Sequence, residues 1–216
     1  MKKTTMVAVG LPLAWALSAC STGPSSAEYD KMTAEIIKAS FVERGIAKLD
    51  RLEQDPANEA CWAADVAGKP LDEKLTKAVE EAAMKTIRWP ANGQFLGDWK
   101  EGEKIAQSGR GLTWTDKASD VNGGNCYNCH QISKEEISFG TLGPSLYHYG
   151  KLRGVTNPNS PEAKAIVEYT WGKLWNSRAY NACSQMPRVG HKGILNEQQL
   201  KDVMALLLDP NSPINK

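Results

Sequence analysis

The chain has 216 residues with 26 Lys+Arg against 25 Asp+Glu, a balance that excludes the basic face a nucleic-acid binder uses to neutralise phosphates. At 41% hydrophobic, with 18 Gly and 11 Pro, the composition can fill a real core yet is loop-rich, and is that of neither a membrane-embedded nor a disordered chain. Five cysteines cannot all pair with one another, so their positions carry information.

Lys2 and Lys3 precede an apolar run from Met6 to Leu17 that contains Gly10 and Pro12. It is too short to span a bilayer comfortably and has the layout of an export signal. The run ends in Leu17-Ser18-Ala19-Cys20, which resembles the bacterial lipoprotein box; that resemblance implies cleavage before Cys20 and a lipid on it. Cleavage after Ser25-Ser26-Ala27 is the alternative. Residues 1–19 are thus read as an export signal and 20–27 as a flexible tether, giving a periplasmic protein, soluble or anchored through Cys20. Losing residues 1–19 removes two lysines and no acid, which leaves the mature chain at −1. Steering of a partner then falls to local patches.

Residues 28–54 are expected to be helical, with Met32, Ile36, Ile37, Phe41, Ile46, Leu49 and Leu52 on one face and Asp55-Pro56 as the stop. A second helix is expected over 72–88, from Asp72 to the Trp89-Pro90 break. The run Gly97 to Ala106 reads as a helix start, and a polar loop follows from Gly109 to Cys126. Another helix is expected from Ser160-Pro161 to Leu174, with Pro in the first turn. The last helix has Asn196 as N-cap, Gln199 completing a capping box and Leu195 stapling onto Leu200. Its inner face is Leu200, Val203, Met204, Leu207 and Leu208, and Asp209-Pro210 stops it. No strand, internal repeat or glycine-rich phosphate loop stands out. The fold class is mostly α, with a helical extension over 28–96 before a second domain over 97–216.

Cys126-Tyr-Asn-Cys129-His130 has the spacing of covalent haem attachment. Two thiols on one turn reach the two vinyl groups, and the next residue directs an imidazole at the iron. A redox Cys-x-x-Cys would open a helix after a strand, and no β-rich run precedes this one. A zinc site would need a second close pair of ligands. One haem c is expected, since three histidines cannot serve a multihaem protein.

With Cys20, Cys126 and Cys129 assigned, Cys61 and Cys183 remain, and in an oxidising compartment a disulfide between them is the default reading. Two unpaired thiols, or Cys183 as a haem ligand, are the alternatives. For the second axial position the candidates are His148, His191, Met186 and Met204. Met204 fits the apolar stripe of the last helix. Met186 stands in the loop Cys183-Ser-Gln-Met-Pro-Arg-Val-Gly190, 56 residues after His130, and is preferred over His191. His191 and His148 otherwise read as surface or propionate-side residues. A ligating His donates its other N–H to a fixed acceptor, and the carbonyl of Pro144 in Gly143-Pro144 is assigned that task.

Helix, Cys-x-x-Cys-His, Gly-Pro-x-Leu, Met-Pro loop and terminal helix together resemble class I cytochrome c over about residues 97–210. More specific stretches resemble the SoxX family, the small cytochrome subunits of SoxAX complexes in bacterial sulfur oxidation. These are Lys38-Ala-Ser-Phe-Val-Glu-Arg-Gly45, Gly123-Gly-Asn-Cys-Tyr-Asn-Cys-His-Gln131, Gly143-Pro-Ser-Leu-Tyr147, Tyr149-Gly-Lys-Leu-Arg-Gly154, Asn181-Ala-Cys-Ser-Gln-Met-Pro-Arg188 and Met204-Ala-Leu-Leu-Leu-Asp-Pro210. The resemblance implies pairing with SoxA, where the catalytic cysteine resides, in a complex that joins thiosulfate to a cysteine of the SoxYZ carrier (an L-cysteine S-thiosulfotransferase). It implies Cys126 and Cys129 for attachment, His130 and Met186 as axial ligands, no catalytic residue in this chain, and a small soluble cytochrome as electron acceptor. A free-standing respiratory shuttle is the alternative, and a peroxidase-like enzyme would need an open iron.

Tyr169, Trp171, Trp175 and Tyr180 read first as packing around the haem and second as an electron path or partner surface. Lys151, Arg153, Lys173 and Arg178 could meet haem propionates or an acidic partner, but are read mainly as solvated charges.

Overall fold

A computed structural model describes residues 23–216; the export signal and Cys20 lie outside the described residues. The helices are α1 (Ser26–Ser40), α2 (Pro56–Val66), α3 (Glu73–Met84), α4 (Trp99–Gln107), α5 (Tyr149–Leu152), α6 (Lys164–Trp175) and α7 (Glu197–Leu208). Among the described residues there is no strand, only an isolated bridge between Arg44 and Ala47. The mostly helical class holds. Of the described residues, 23–42 belong to one compact unit and Glu43–Lys216 form another.

The first unit is built on α1, which opens with a capping box: Ser25 and Glu28 exchange hydrogen bonds between side chain and backbone. The helix ends at Ser40, short of the expected 54, because Phe41 is already extended. In the second unit Gly45 adopts φ +54 and abuts the Trp114 carbonyl, and a short 3-10 turn covers Leu49–Leu52. Apolar spacing had run through a chain reversal. Asp55-Pro56 is likewise a start and not a stop. The Asp55 carboxylate caps the amide of Asn58 at 2.9 Å, and Pro56 sits at the first helical position, where its missing N–H costs nothing.

The core of the second unit is assembled on α7. Its capping box pairs Asn196 with Gln199, and its buried residues run from Leu200 to Leu208. Helix α4 packs across it. The crossing is close because α4 presents Gly102, where a β-carbon would fall onto the Asp202 carbonyl and lie 3.1 Å from Leu206. Hydrogen bonds from Gly97 N to Lys201 O (2.8 Å) and from Asp98 N to Asp202 Oδ1 (2.9 Å) fix where α4 begins. Beyond Pro210 the chain folds back to serve α7, with Ser212 Oγ donating to Leu206 O and Asn215 Nδ2 to Leu207 O. Helices α5 and α6 also pack on α7. Ala83 of α3 and the following Ile87 belong to the same buried cluster as Trp171, Leu200 and Met204.

Candidate haem site

Cys126 opens a single 3-10 turn, Cys126–Asn128, preceded by Asn125 in the left-handed region at φ 50. Backbone bonds from Cys129 N and His130 N to Cys126 O wind the segment tightly enough to gather both thiols and the imidazole. Cys126 and Cys129 are not bonded to each other, and both are partly buried. Burial pushes the Cys126 thiol up to about 11, with the neighbouring Cys129 and Glu103 adding to it. An attacking redox thiol needs the opposite shift, which Cys126 does not have.

His130 Nδ1 lies 2.7 Å from the carbonyl oxygen of Pro144. A carbonyl only accepts, so Nδ1 carries the proton and Nε2 presents a lone pair. Glycine at 143 is what admits the ring, since a β-carbon there would fall on the imidazole. Backbone bonds from Gly143 N to Cys129 O (2.8 Å) and Leu146 N to Gln131 O (2.7 Å) hold the Gly-Pro segment beside the His.

Met186 and Cys126 border the same buried cluster. The methionine's loop is held from several sides. Ser177 Oγ donates to Met186 O at 2.7 Å, Ala182 N donates to Glu80 Oε1 at 3.2 Å, and Cys183 is joined to Cys61 of α2. Of the other axial candidates, Met204 belongs to that same cluster. Met204 is fully buried within α7, and His148, at φ 57, has Nε2 placed 2.7 Å from Lys216 O. His191 is exposed, and its pKa is lowered by partial burial and by the charges of Arg188 and Lys192.

Arg178 departs from the expectation of a solvated charge. It is buried, and its guanidinium donates to Asp55 Oδ1 (2.8 Å) and to the Asn58 side chain, while Arg188 donates to Asp55 Oδ2 (2.7 Å). Burial alone would raise the Asp55 carboxyl. The bonds from Arg178, the Asn58 amide and Arg188 overcome this and hold it well below the carboxylate range. Arg153 lies over the Tyr149 ring at 3.7 Å, and Lys173 Nζ donates to Ser177 O at 3.2 Å. Asp55 escaped the sequence reading because Asp-Pro was taken for a helix end. Its pairing with Arg178 spans 123 residues, and no local pattern signals that.

The aromatic cluster is mainly packing. Trp171 is 1% exposed, stacks on Trp175 and donates its Nε1–H to Arg88 O. Trp175 Nε1 and Arg178 Nε are different: both are buried with no protein partner. A cavity of about 270 Å³ beside Met186 is lined by Arg178, Arg188, Lys192, Pro187 and Ile194. Arg178, Arg188 and Lys192 give this cavity a cationic lining that suits a carboxylate-bearing group, and Cys126, Cys129 and His130 are not among its walls. Two unbridged thiols on one tight turn and an imidazole with its Nε2 lone pair free fit haem c: Cys126 and Cys129 would bind it covalently and His130 Nε2 would ligate it.

Residues 100–209 match the family profile described as Cytochrome c. A relative from Aquifex aeolicus (strain VF5), named an uncharacterized lipoprotein, is 35% identical over 180 residues, covering 83% of this chain and 79% of the relative. The chain belongs to the cytochrome c family. Its biochemical role is electron transfer on covalently bound haem c.

Proposed function

We propose that this protein is the electron-accepting cytochrome subunit of a SoxAX-type complex, carrying one haem c ligated by His130 and Met186. The observation that carries the reading is the Met186 loop, whose carbonyl, flanking cysteine and neighbouring arginine are all anchored. A methionine on a fixed loop favours a six-coordinate iron that passes electrons and excludes substrates, and Met ligation raises the potential. When bound, the haem supplies a one-electron couple. The protein's part is to hold His130 in one tautomer, keep Met186 in place and limit water around the ring.

The finer assignment to SoxAX rests on the SoxX-like stretches around Cys126, Tyr149 and Met186 and on Ala83 and Ile87 of the extension, which belong to the haem domain's buried cluster. In this reading SoxA contributes the catalytic cysteine, SoxYZ carries the sulfur, and electrons leave to a small soluble cytochrome. The lipoprotein name of the Aquifex relative, together with Leu17-Ser-Ala-Cys20, favours a periplasmic protein anchored through Cys20.

The test is an optical spectrum of the oxidised, periplasmically matured protein, followed by mixing with SoxA, SoxYZ and thiosulfate. A weak far-red sulfur-to-iron band that disappears in Met186→His supports the axial assignment. Thiosulfate-dependent reduction of the haem supports the complex. High-spin features without the band would turn the reading toward a catalytic haem, and no reduction with both partners present would turn it toward a free-standing shuttle.

A further inference from the structure

We propose that Asp55 is a positioning residue for the iron's sixth ligand: through Arg178 and Arg188 it makes helix α2 the outer brace of the Met186 loop. The inference rests on the reading of Met186 as axial ligand and adds to it what keeps the methionine in place.

The loop from Asn181 to Arg188 contains no regular element, so its shape depends on what it is tied to. On one side the haem domain itself contributes Ser177 Oγ, bonded to Met186 O. On the other, residues outside the matched cytochrome region contribute the rest. Cys61 binds Cys183, Glu80 accepts from Ala182 N, and Asp55 accepts from Arg188, two residues beyond the methionine. Asp55 is the junction of this set. One carboxylate oxygen takes Arg178 Nη1 and the α2 cap, and the other takes Arg188 Nη2. Arg178 is itself immobilised, being 9% exposed and bonded also to Asn58. A carboxylate shared between two guanidinium groups fixes both in direction as well as distance, which a lone surface pair does not do. With Asp55 neutral, Arg188 loses its only ion-pair partner among the described residues, and two guanidinium groups are left close together with no carboxylate between them. That repulsion and the lost bond both act to loosen the loop.

A brace of this kind changes how often the methionine leaves the iron. The apparent affinity of a competing ligand scales with the population of the open state. The experiment titrates the ferric full-length mature holoprotein with imidazole and follows the loss of the far-red band. Asp55→Asn keeps an oxygen to cap α2 but removes the charge that holds both arginines, and imidazole should bind about tenfold more tightly to it. Asp55→Glu should recover most of the difference. Asp72→Asn changes the cap residue of α3 in the same way, eight residues before Glu80 and bonded to no loop residue, and should leave the imidazole affinity at the wild-type value.

Equal affinities for wild type and Asp55→Asn would overturn the brace while leaving Met ligation intact. A wild-type holoprotein with no far-red band would overturn the ligand assignment, and the brace with it. If Asp55→Asn does not accumulate, Arg188→Gln removes the direct tether alone; it should also tighten imidazole binding, and an unchanged affinity there counts against the proposal.

Discussion

Helices α7 and α2 are of similar length, 12 and 11 residues, yet they are held by opposite means. Helix α7 buries Leu200 through Leu208 almost without interruption, and α4 crosses it at a glycine. Helix α2 buries no residue at all; Trp62 and Val66 are exposed, and its attachments are a disulfide, a shared carboxylate and an asparagine. Apolar burial is non-directional and sets where a whole helix lies. Covalent and charge-assisted bonds act between named atoms and set where one point of the chain lies. The second unit uses both: the α4–α7 packing makes the body against which the Cys126 turn lies, and α2 is tied to the loop that carries Met186.

If that division is right, cutting the covalent attachment should have the largest effect on stability. Cys61 and Cys183 are 122 residues apart, and chain entropy assigns a loop of that length about 5 kcal/mol. Replacing both by Ser should lower the unfolding free energy of the holoprotein by that order in a denaturant titration. A loss under about 1 kcal/mol would mean that apolar contacts hold the extension in place unaided.

The packed region has its own weak point at Gly102. Valine there would drive a branched side chain into the Asp202 backbone, where no rotamer can relieve it. The expected loss is about 3 kcal/mol, at the upper end for overpacking because the obstacle is main chain. Thermal unfolding checks it. A neutral result would mean that α4 and α7 can separate freely, contrary to the Gly97 and Asp98 bonds that fix their ends.

What could be read from the sequence divides along the same line. The mostly helical class, α7 with its capping box, and the cytochrome c pattern were legible, because periodicity and covalent haem chemistry both act over a few residues. Cys126, Cys129 and His130 are named by spacing alone, and Pro144 by the need for an acceptor without a donor. Helix α2 was not legible: Pro-Ala-Asn-Glu-Ala-Cys-Trp-Ala-Ala-Asp-Val has no apolar face to bury, so periodicity had nothing to register. Arg178 looked like any surface arginine, since its partners Asp55 and Asn58 come from 123 and 120 residues earlier. The expected end of α1 overshot because apolar spacing continues through Phe41, Ile46 and Leu49 after the backbone has turned.

The ionic attachment of α2 predicts a pH dependence. Asp55 has its folded pKa depressed, so its contribution is fully present above the ordinary carboxylate value, near pH 4, and is lost as pH falls further toward the folded value. Its side chain is 29% exposed, which puts the cost of Asp55→Asn at pH 7 below that of a fully buried pair, at about 2 kcal/mol. The gap between wild type and variant should stay flat from pH 7 down to about 4 and close below it. A gap that closes instead between pH 7 and 6 would assign the effect to a histidine.

The smallest effect is expected where α7 starts. Asn196→Ala removes the oxygen that accepts from Gln199 N at 2.9 Å. Half of the capping box survives, because the backbone amide of residue 196 can still donate to Gln199 Oε1, now 3.0 Å away. Gln199 is also held independently by its Nε2–H bond to Asn122 O at 2.7 Å. The helix beyond is buried along most of its length, so fraying at the first turn cannot propagate. The loss should be about 0.5–1 kcal/mol, the low end for a cap. A loss of about 3 kcal/mol would place the start of α7 among the points held by single atoms, as α2 is, and would erase the contrast between the two helices.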